Sequence, residues 1–371
     1  MEKLLPENVG GNPNTTTYSF SDWMDLLALE HGDRWVRYRE SYKRTNFPDS
    51  ALEESRKLSG PITITLELVN RCNLKCVMCW TDNHSLEKGV LELKDIEKVL
   101  VDASKSGSPV PAVIVGLGSE PLIYKEVKEV IRICKENDVM DIFFGTNGVL
   151  LDEEMSLFLI ENDVSRLEVS LDAATPETYK AIRSKDKLEI VEKNIRNFVE
   201  LRNSLGKAIP VVRLAFVVQD LNLHERSLFL RKWEGIVDYI DFQQKSDFSK
   251  VTERLGKDLD YYLFHDETDE EKLLATAELK KKLLKVNGGK GSQLFCPYPF
   301  NSLNVWANGD ISPCCCFHGR ALTVGNAKER DLSEVWRGPE MNGLRAEILE
   351  ARLNRVCRSC LDRDELHRED V

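Results

Sequence analysis

Three cysteines crowd the stretch CNLKCVMCW, with Cys72, Cys76 and Cys79 spaced four and then three apart. A second group, Cys296, Cys314, Cys315, Cys316, Cys357 and Cys360, lies near the other end, and of the ten cysteines only Cys134 stands apart. Clustered cysteines in a reducing compartment read as metal ligands rather than disulfides. Structural zinc takes four closed ligands, and catalytic zinc rarely takes three thiolates from one short loop. A four-iron cluster held by three thiolates keeps one iron open, and an open iron can bind a substrate or cofactor directly. Zinc or a four-ligand cluster is the competing reading of these cysteines.

The elements around the first loop repeat a strand–helix rhythm. Strands are expected at ITITLELV (Ile62 to Val69), AVIVG (Ala112 to Gly116), DIFFGTNG (Asp141 to Gly148), RLEVSLD (Arg166 to Asp172), VVRLAFVV (Val211 to Val218) and VDYIDFQ (Val237 to Gln243), with helical sequence between them. Strands separated by helices imply right-handed crossovers and a parallel sheet. Six such units predict an α/β fold, a partial (βα)6 TIM-like barrel, with a doubly wound open sheet as the alternative. In both, ligands bind at the C-terminal ends of the strands, which is where Cys72 to Cys79 fall. The expected organisation is a tail and helical cap over 1–58, with 1–17 disordered; a barrel over 59–246; a helical connector over 247–292; and a small cysteine-rich module over 293–371. Within the connector, DETDEEKLLATAELKKKLLK (Asp266 to Lys285) reads as a solvated helix, acids first and lysines last, and Asn287 to Gly291 as a flexible link.

On these residues the chain resembles the radical S-adenosylmethionine (SAM) enzymes. C-x3-C-x2-C after the first strand is joined by GLGSEP (Gly116 to Pro121), similar to the family's Gly-Gly-Glu-Pro stretch with Ser119 in place of the second glycine. GTNG (Gly145 to Gly148), VSLDAATPETYKAIR (Val169 to Arg183) and VVQDLNLHE (Val217 to Glu225) resemble its third, fourth and fifth strand ends. The resemblance implies a SAM-binding [4Fe–4S] cluster on Cys72, Cys76 and Cys79. It also implies SAM contacts at Gly118, Ser119, Glu120, Pro121, Asn147, Ser170 and Asp172, with Arg183 as partner of the SAM carboxylate. Reductive cleavage of SAM would yield a 5′-deoxyadenosyl radical that takes hydrogen from an unactivated carbon.

The downstream stretch CPYPFNSLNVWANGDISPCCC (Cys296 to Cys316), with a hairpin turn at NGD, then VGNAKERDLSEVWRG and CRSC, resembles the SPASM or twitch extension of that family. The resemblance implies one auxiliary [4Fe–4S] cluster on Cys296, Cys314, Cys357 and Cys360, with Cys315 or Cys316 able to substitute and zinc as the competing metal. A closed cluster suits electron transfer, which favours net oxidation of the substrate. Cys134 reads as a packed core thiol. His84 and His318 read as loop residues, Trp80 either as a cover over the cluster or as surface-loop packing, and Arg213, Gln243 and Lys245 as residues that could face a substrate.

A net charge of −11 argues against nucleic-acid binding and a membrane-surface role. The N-terminus lacks a signal-peptide pattern, and no apolar run approaches the roughly 20 residues of a membrane span. A soluble, cytoplasmic protein is expected. The expected partners are a small-molecule substrate (a sugar, aminocyclitol or similar polyol) and an electron donor such as flavodoxin or ferredoxin, with no membrane. A peptide substrate, as for a maturase performing crosslinking, epimerisation or oxidation, is the alternative, and a non-catalytic electron carrier a remote one.

Overall fold

The computed structural model describes residues 15–79, 89–104, 109–116, 118–245, 267–286, 294–314 and 317–365. Its strands are β1 (Thr15–Ser19), β2 (Thr63–Leu66), β3 (Ala112–Val115), β4 (Asp141–Thr146), β5 (Arg166–Ser170), β6 (Val211–Val218), β7 (Tyr239–Gln244), β8 (Ser302–Val305), β9 (Asp310–Ser312) and β10 (Gly325–Asn326). They form one open, mixed 10-stranded sheet in the order β1-β7-β6-β5-β4-β3-β2-β8-β9-β10. The six expected strands, β2 to β7, are successive parallel neighbours.

Side-chain alternation gives the sheet two distinct faces. On β5, Leu167 and Val169 join the large core against the helices, while Arg166, Glu168 and Ser170 turn to the inner face. The helix Leu188–Ser204 supplies Ile195 and Phe198 to that core, and Cys134, from helix Val127–Glu136, is fully buried in it. The packing account of Cys134 holds.

Three features differ from the expectation. Residues 15–17, read as disordered, belong to β1, which pairs antiparallel with β7 from Thr15↔Gln243 to Ser19↔Tyr239. Threonine-rich sequence suits a pleated edge even without apolar alternation. The helical stretch after Pro176 is two helices, Pro176–Arg183 and Leu188–Ser204, because Ser184 at φ 60° ends the first in a left-handed cap. The helix Asp269–Val286 is not solvated all round: Thr276 and Leu279 are buried, Thr276 Oγ1 accepts from Leu353 N at 3.1 Å, and Lys272 pairs with Glu347.

The helices expected as a cap are Trp23–His31, Asp33–Thr45 and Pro48–Lys57. Trp23, Leu27, Trp35 and Tyr38 pack on Ile62, Ala112, Met140 and Val211, at the strands' N-terminal ends. They close the end opposite the cysteine loop. At the other edge, β8 from the cysteine-rich region lies parallel to β2, and the β8–β9 hairpin turns at Gly309, whose φ of 94° suits glycine. Leu303, Val305, Ile311 and Trp336 share one core with Leu66 and Ile96, so this region packs as an extension of the barrel. Trp80, His84, Cys315, Cys316, the 287–291 link and most of the connector's first half lie outside the described residues, as does the His318 side chain.

Candidate radical site at the strand ends

The loop bearing Cys72, Cys76 and Cys79 is pinned from two sides. Asn147, just past β4, donates from Nδ2 to Asn73 Oδ1 at 2.6 Å and toward Cys72 Sγ at 3.6 Å. From the far end of helix Pro176–Arg183, Ile182 O accepts from Val77 N at 2.9 Å, Ser184 Oγ donates to Lys75 O, and Lys185 Nζ donates to Asn73 O at 2.6 Å. Cys79 N donates to Cys76 O at 3.0 Å, a tight turn that brings the second and third cysteines round together.

Glu120 fixes Asn147 in turn. It is buried, and its carboxylate accepts from Leu122 N (3.1 Å), Thr146 Oγ1 (2.7 Å) and Asn147 N (2.8 Å). Burial pushes its carboxyl above the ordinary range, and those three donors pull back. Gly118, at φ 71°, turns the chain ahead of it, and Pro121 opens the short 3-10 helix that follows. Gly116, at φ 104°, lies so close to β4 that an added Cβ would sit 2.2 Å from Gly145 O.

Asp172 and Arg183 are drawn together in the buried interior, with Oδ2 and Nη2 2.5 Å apart. Asp172 takes a left-handed backbone (φ 61°), which aims Oδ1 at Val217 N, 2.7 Å away. Burial works against both charges. It pushes Asp172 up against the pull of Arg183, whereas Arg183 stays firmly protonated because Asp172 and Cys76 outweigh its own desolvation. Nη1 of Arg183 donates toward Cys76 Sγ at 3.6 Å. Ser170 ends β5 on the inner face, half-buried. The structure thus gathers all the sequence-derived residues of this region at one end of the sheet, with Arg183 held by Asp172 and Cys76.

Burial pushes the Cys72 thiol up to about 11 and that of Cys76 upward too, so a cation is what would favour their thiolates. At this end of the sheet Ser119 Oγ, Tyr179 Oη and Arg183 Nε are buried without a hydrogen-bond partner among the described residues, and Arg183 also reaches Cys76 through Nη1. The Tyr179 hydroxyl lies within electrostatic reach of both Cys72 and Cys76. Sequence reading missed Tyr179; its place one turn before Arg183 on the same helix was the available signal. Orphaned buried donors on the elements that pin the cysteine loop fit a polar guest there.

At the second cysteine group, Cys296 and Cys357 pack against one apolar cluster with Phe300, Leu344 and Leu353. The helix Arg355–Glu365, which carries Cys357 and Cys360, touches the 3-10 helix Phe317–Leu322 that follows Cys314. Gly319 lies against Cys314, where an added Cβ would meet Sγ at 2.7 Å. None of the eight described cysteines is joined in a disulfide. Among the described residues, no three ligand-type side chains stand close enough to share one metal ion. A four-iron cube holds its thiolates farther apart than one ion does.

A buried ion pair ties the two regions together. Glu67, just past β2 and 1% exposed, accepts from Arg320 Nη2 at 2.5 and 2.6 Å and from Ala307 N at 3.0 Å. The Arg320 guanidinium lies 4.0 Å from the Trp306 ring centroid. Of the three residues expected to face a substrate, Arg213 lies on the inner face between Glu168 and Asp241, Gln243 is half-buried on β7, and Lys245 is exposed. Met78 Sδ accepts from Gln219 Nε2 at 3.8 Å.

Residues 66–227 match the Radical SAM superfamily, and residues 296–361 match SPASM, described as an iron–sulfur cluster-binding domain. The chain belongs to the radical SAM superfamily and carries a C-terminal SPASM domain. Domains of these two families bind [4Fe–4S] clusters. The chain is 34% identical over 164 residues, 44% of its length, to a "Probable GTP 3',8-cyclase" of Methanothermobacter thermautotrophicus, and spans about half (51%) of that relative. Its fold is similar to that of Streptococcus suis SuiB bound to S-adenosylmethionine (TM-score 0.52, 19% identity, covering 78% of this chain and 70% of that one). It is equally similar to SuiB bound to its precursor peptide SuiA (TM-score 0.53, 18% identity, 85% and 71%). No described helix is long and apolar enough to cross a membrane.

Proposed function

We propose that this chain starts radical chemistry from a [4Fe–4S] cluster on Cys72, Cys76 and Cys79 and from SAM, and acts on a small polar substrate held in the barrel. When bound, that pair supplies a carbon radical able to take hydrogen from an unactivated C–H bond. The observation that carries the reading is the set of orphaned buried groups at the cysteine-loop end of the sheet: Ser119 Oγ, Tyr179 Oη and Arg183 Nε. Asn147 and Arg183 hold the loop from opposite sides, each with an N–H directed at a thiol sulfur. Glu120 and Asp172 keep those two residues in place. Cys296, Cys314, Cys357 and Cys360 are the proposed ligands of the auxiliary cluster, which accepts an electron when the substrate is oxidised. Flavodoxin or ferredoxin is the proposed donor to the first cluster.

The likeness to GTP 3',8-cyclases supports a redox-neutral rearrangement as the competing outcome, and the likeness to SuiB a peptide as the competing substrate. The test is anaerobic reconstitution, an iron and sulfide count, and an assay for 5′-deoxyadenosine with SAM and a strong reductant. About eight irons per chain, as two four-iron clusters require, with deoxyadenosine formation lost in Cys76→Ala, is the expected result. Eight irons without SAM cleavage would overturn the enzymatic reading. Four irons with zinc retained would remove the electron-acceptor role.

A further inference from the structure

The inner face of the barrel carries a charge cluster below the cysteine loop, spread over four strands. Arg166 on β5 is committed to Asp141 on β4, through Nε–Oδ1 at 3.0 Å and Nη2–Oδ2 at 2.6 Å. Arg213 on β6 spans Glu168 on β5 and Asp241 on β7, each at 2.7 Å. Thr17 Oγ1 on β1 adds a 2.5 Å hydrogen bond to Asp241 Oδ1. The charged or ionisable groups acting on Arg213 are Glu168, Asp241, Tyr239 and Arg166. Two guanidiniums therefore face three carboxylates, and the cluster holds one excess negative charge in a largely buried place.

That charge opens to the interior at Glu168. Its side chain is 19% exposed against 9% for Asp241, and Arg213 Nη1 takes up Oε2. Oε1 faces the space beside Gly145, its register partner, where an added Cβ would stand 3.9 Å away. Two residues beyond Gly145, about 7 Å along a strand, Asn147 approaches Cys72 Sγ at 3.6 Å. An orphaned carboxamide on the same face also points to a guest. Asn304 on β8, in register with Thr65, is 1% exposed, and neither atom of its carboxamide has a hydrogen-bond partner among the described residues.

The geometry points to Glu168 as the substrate-contacting carboxylate of the barrel, and to a substrate that presents a protonated amine to its Oε1. An ammonium group neutralises the excess charge and supplies a charge-assisted hydrogen bond, while Arg213 holds the carboxylate in position. This rests on the barrel being the substrate chamber of the proposed radical enzyme. The amine identifies a class, aminated sugars or aminocyclitols among small polyols, rather than one compound.

The test compares ethanolamine with ethylene glycol, which differ by an ammonium in place of a hydroxyl. Binding to the full chain, with clusters and SAM loaded, is followed by ligand-observed NMR at physiological ionic strength. The wild-type protein should favour ethanolamine by about tenfold or more, and Glu168→Gln should abolish the preference. Equal binding of the two probes, no binding of ethanolamine, or a preference that survives Glu168→Gln would each overturn the inference. Should Glu168→Gln melt far below the parent, the wild-type comparison and Arg213→Lys, which keeps the charge, decide it. Deoxyadenosine formation by the wild-type protein is measured separately. Its absence counts against the radical reading, whereas its presence without an amine preference counts against this inference alone.

Discussion

Arg320→Met is the perturbation that bears most directly on how the two cysteine regions are held together. It removes the guanidinium from Glu67, leaving a 1% exposed carboxylate that still accepts from Ala307 N. Stranding one member of a buried ion pair costs about 3–5 kcal/mol, and loss of the stack on Trp306 adds about 1 kcal/mol. Glu67→Gln should cost less, because Arg320 keeps its place on Trp306. The double variant should be less damaging than the sum of the two, with a coupling of about 2 kcal/mol or more. Urea unfolding followed by tryptophan fluorescence gives these values, since Trp306 and Trp336 are both buried in this region. The pH dependence carries a second check. Burial already raises Glu67 above the ordinary carboxylate range despite Arg320, and removing Arg320 raises it further. A carboxyl whose folded value exceeds its unfolded one binds more protons when folded, so stability falls as pH rises through that window. The deficit of Arg320→Met should therefore shrink as pH is lowered toward 5. A cost below about 1 kcal/mol, or simple additivity in the cycle, would refute the reasoning.

Gly116→Ala should cost about 3 kcal/mol or more in thermal melting, because its Cβ would meet Gly145 O at 2.2 Å and the backbone is left-handed; a variant melting with the parent would contradict this. Glu120→Ala leaves Leu122 N, Thr146 Oγ1 and Asn147 N without their acceptor. It should lower stability by about 2–4 kcal/mol and reduce the iron retained at the first loop, measured after desalting. His31, beside Ser165 in the lower cap, is held below 6.5 by burial, with Asp141 opposing. A histidine kept neutral by folding contributes stability that is complete above its unfolded value and is lost as pH falls through its folded value. The melting temperature should rise between pH 5 and 7, and His31→Gln should flatten that rise.

The parallel strands were legible because each is a short apolar run bounded by turn residues, and β6 keeps both ends of its apolar run, Val211–Val218. Strand β1 was not, since Thr15–Ser19 has no apolar alternation and its pairing with β7 spans most of the barrel. The place of β8 was equally hidden: Ser302–Val305 reads as a hairpin strand, and nothing local says that its other edge meets β2. The helix Asp269–Val286 misled because its charge pattern dominates, while the face that buries Thr276 and Leu279 is narrow. At the site, the cysteines and the Asp172–Arg183 segment stood out by motif. Glu67, Glu168 and Tyr179 did not, because each gains its meaning from a partner on another element.

The seat of β8 beside β2 has a consequence for how the chain is made. Strands β2 to β7 leave the ribosome before β8 exists, and domains fold as they emerge. In that interval β2, which leads into the cysteine loop, has β3 on one side and a bare edge on the other. A bare, untwisted-away edge is a template for the wrong strand. The C-terminal domain thus covers a sheet edge as well as carrying cysteines, and until Ser302 to Val305 arrive that edge of β2 lacks its β8 partner. A chain interrupted before Ser302 would keep that edge open beside the cysteine loop, where a stray strand could pair with it.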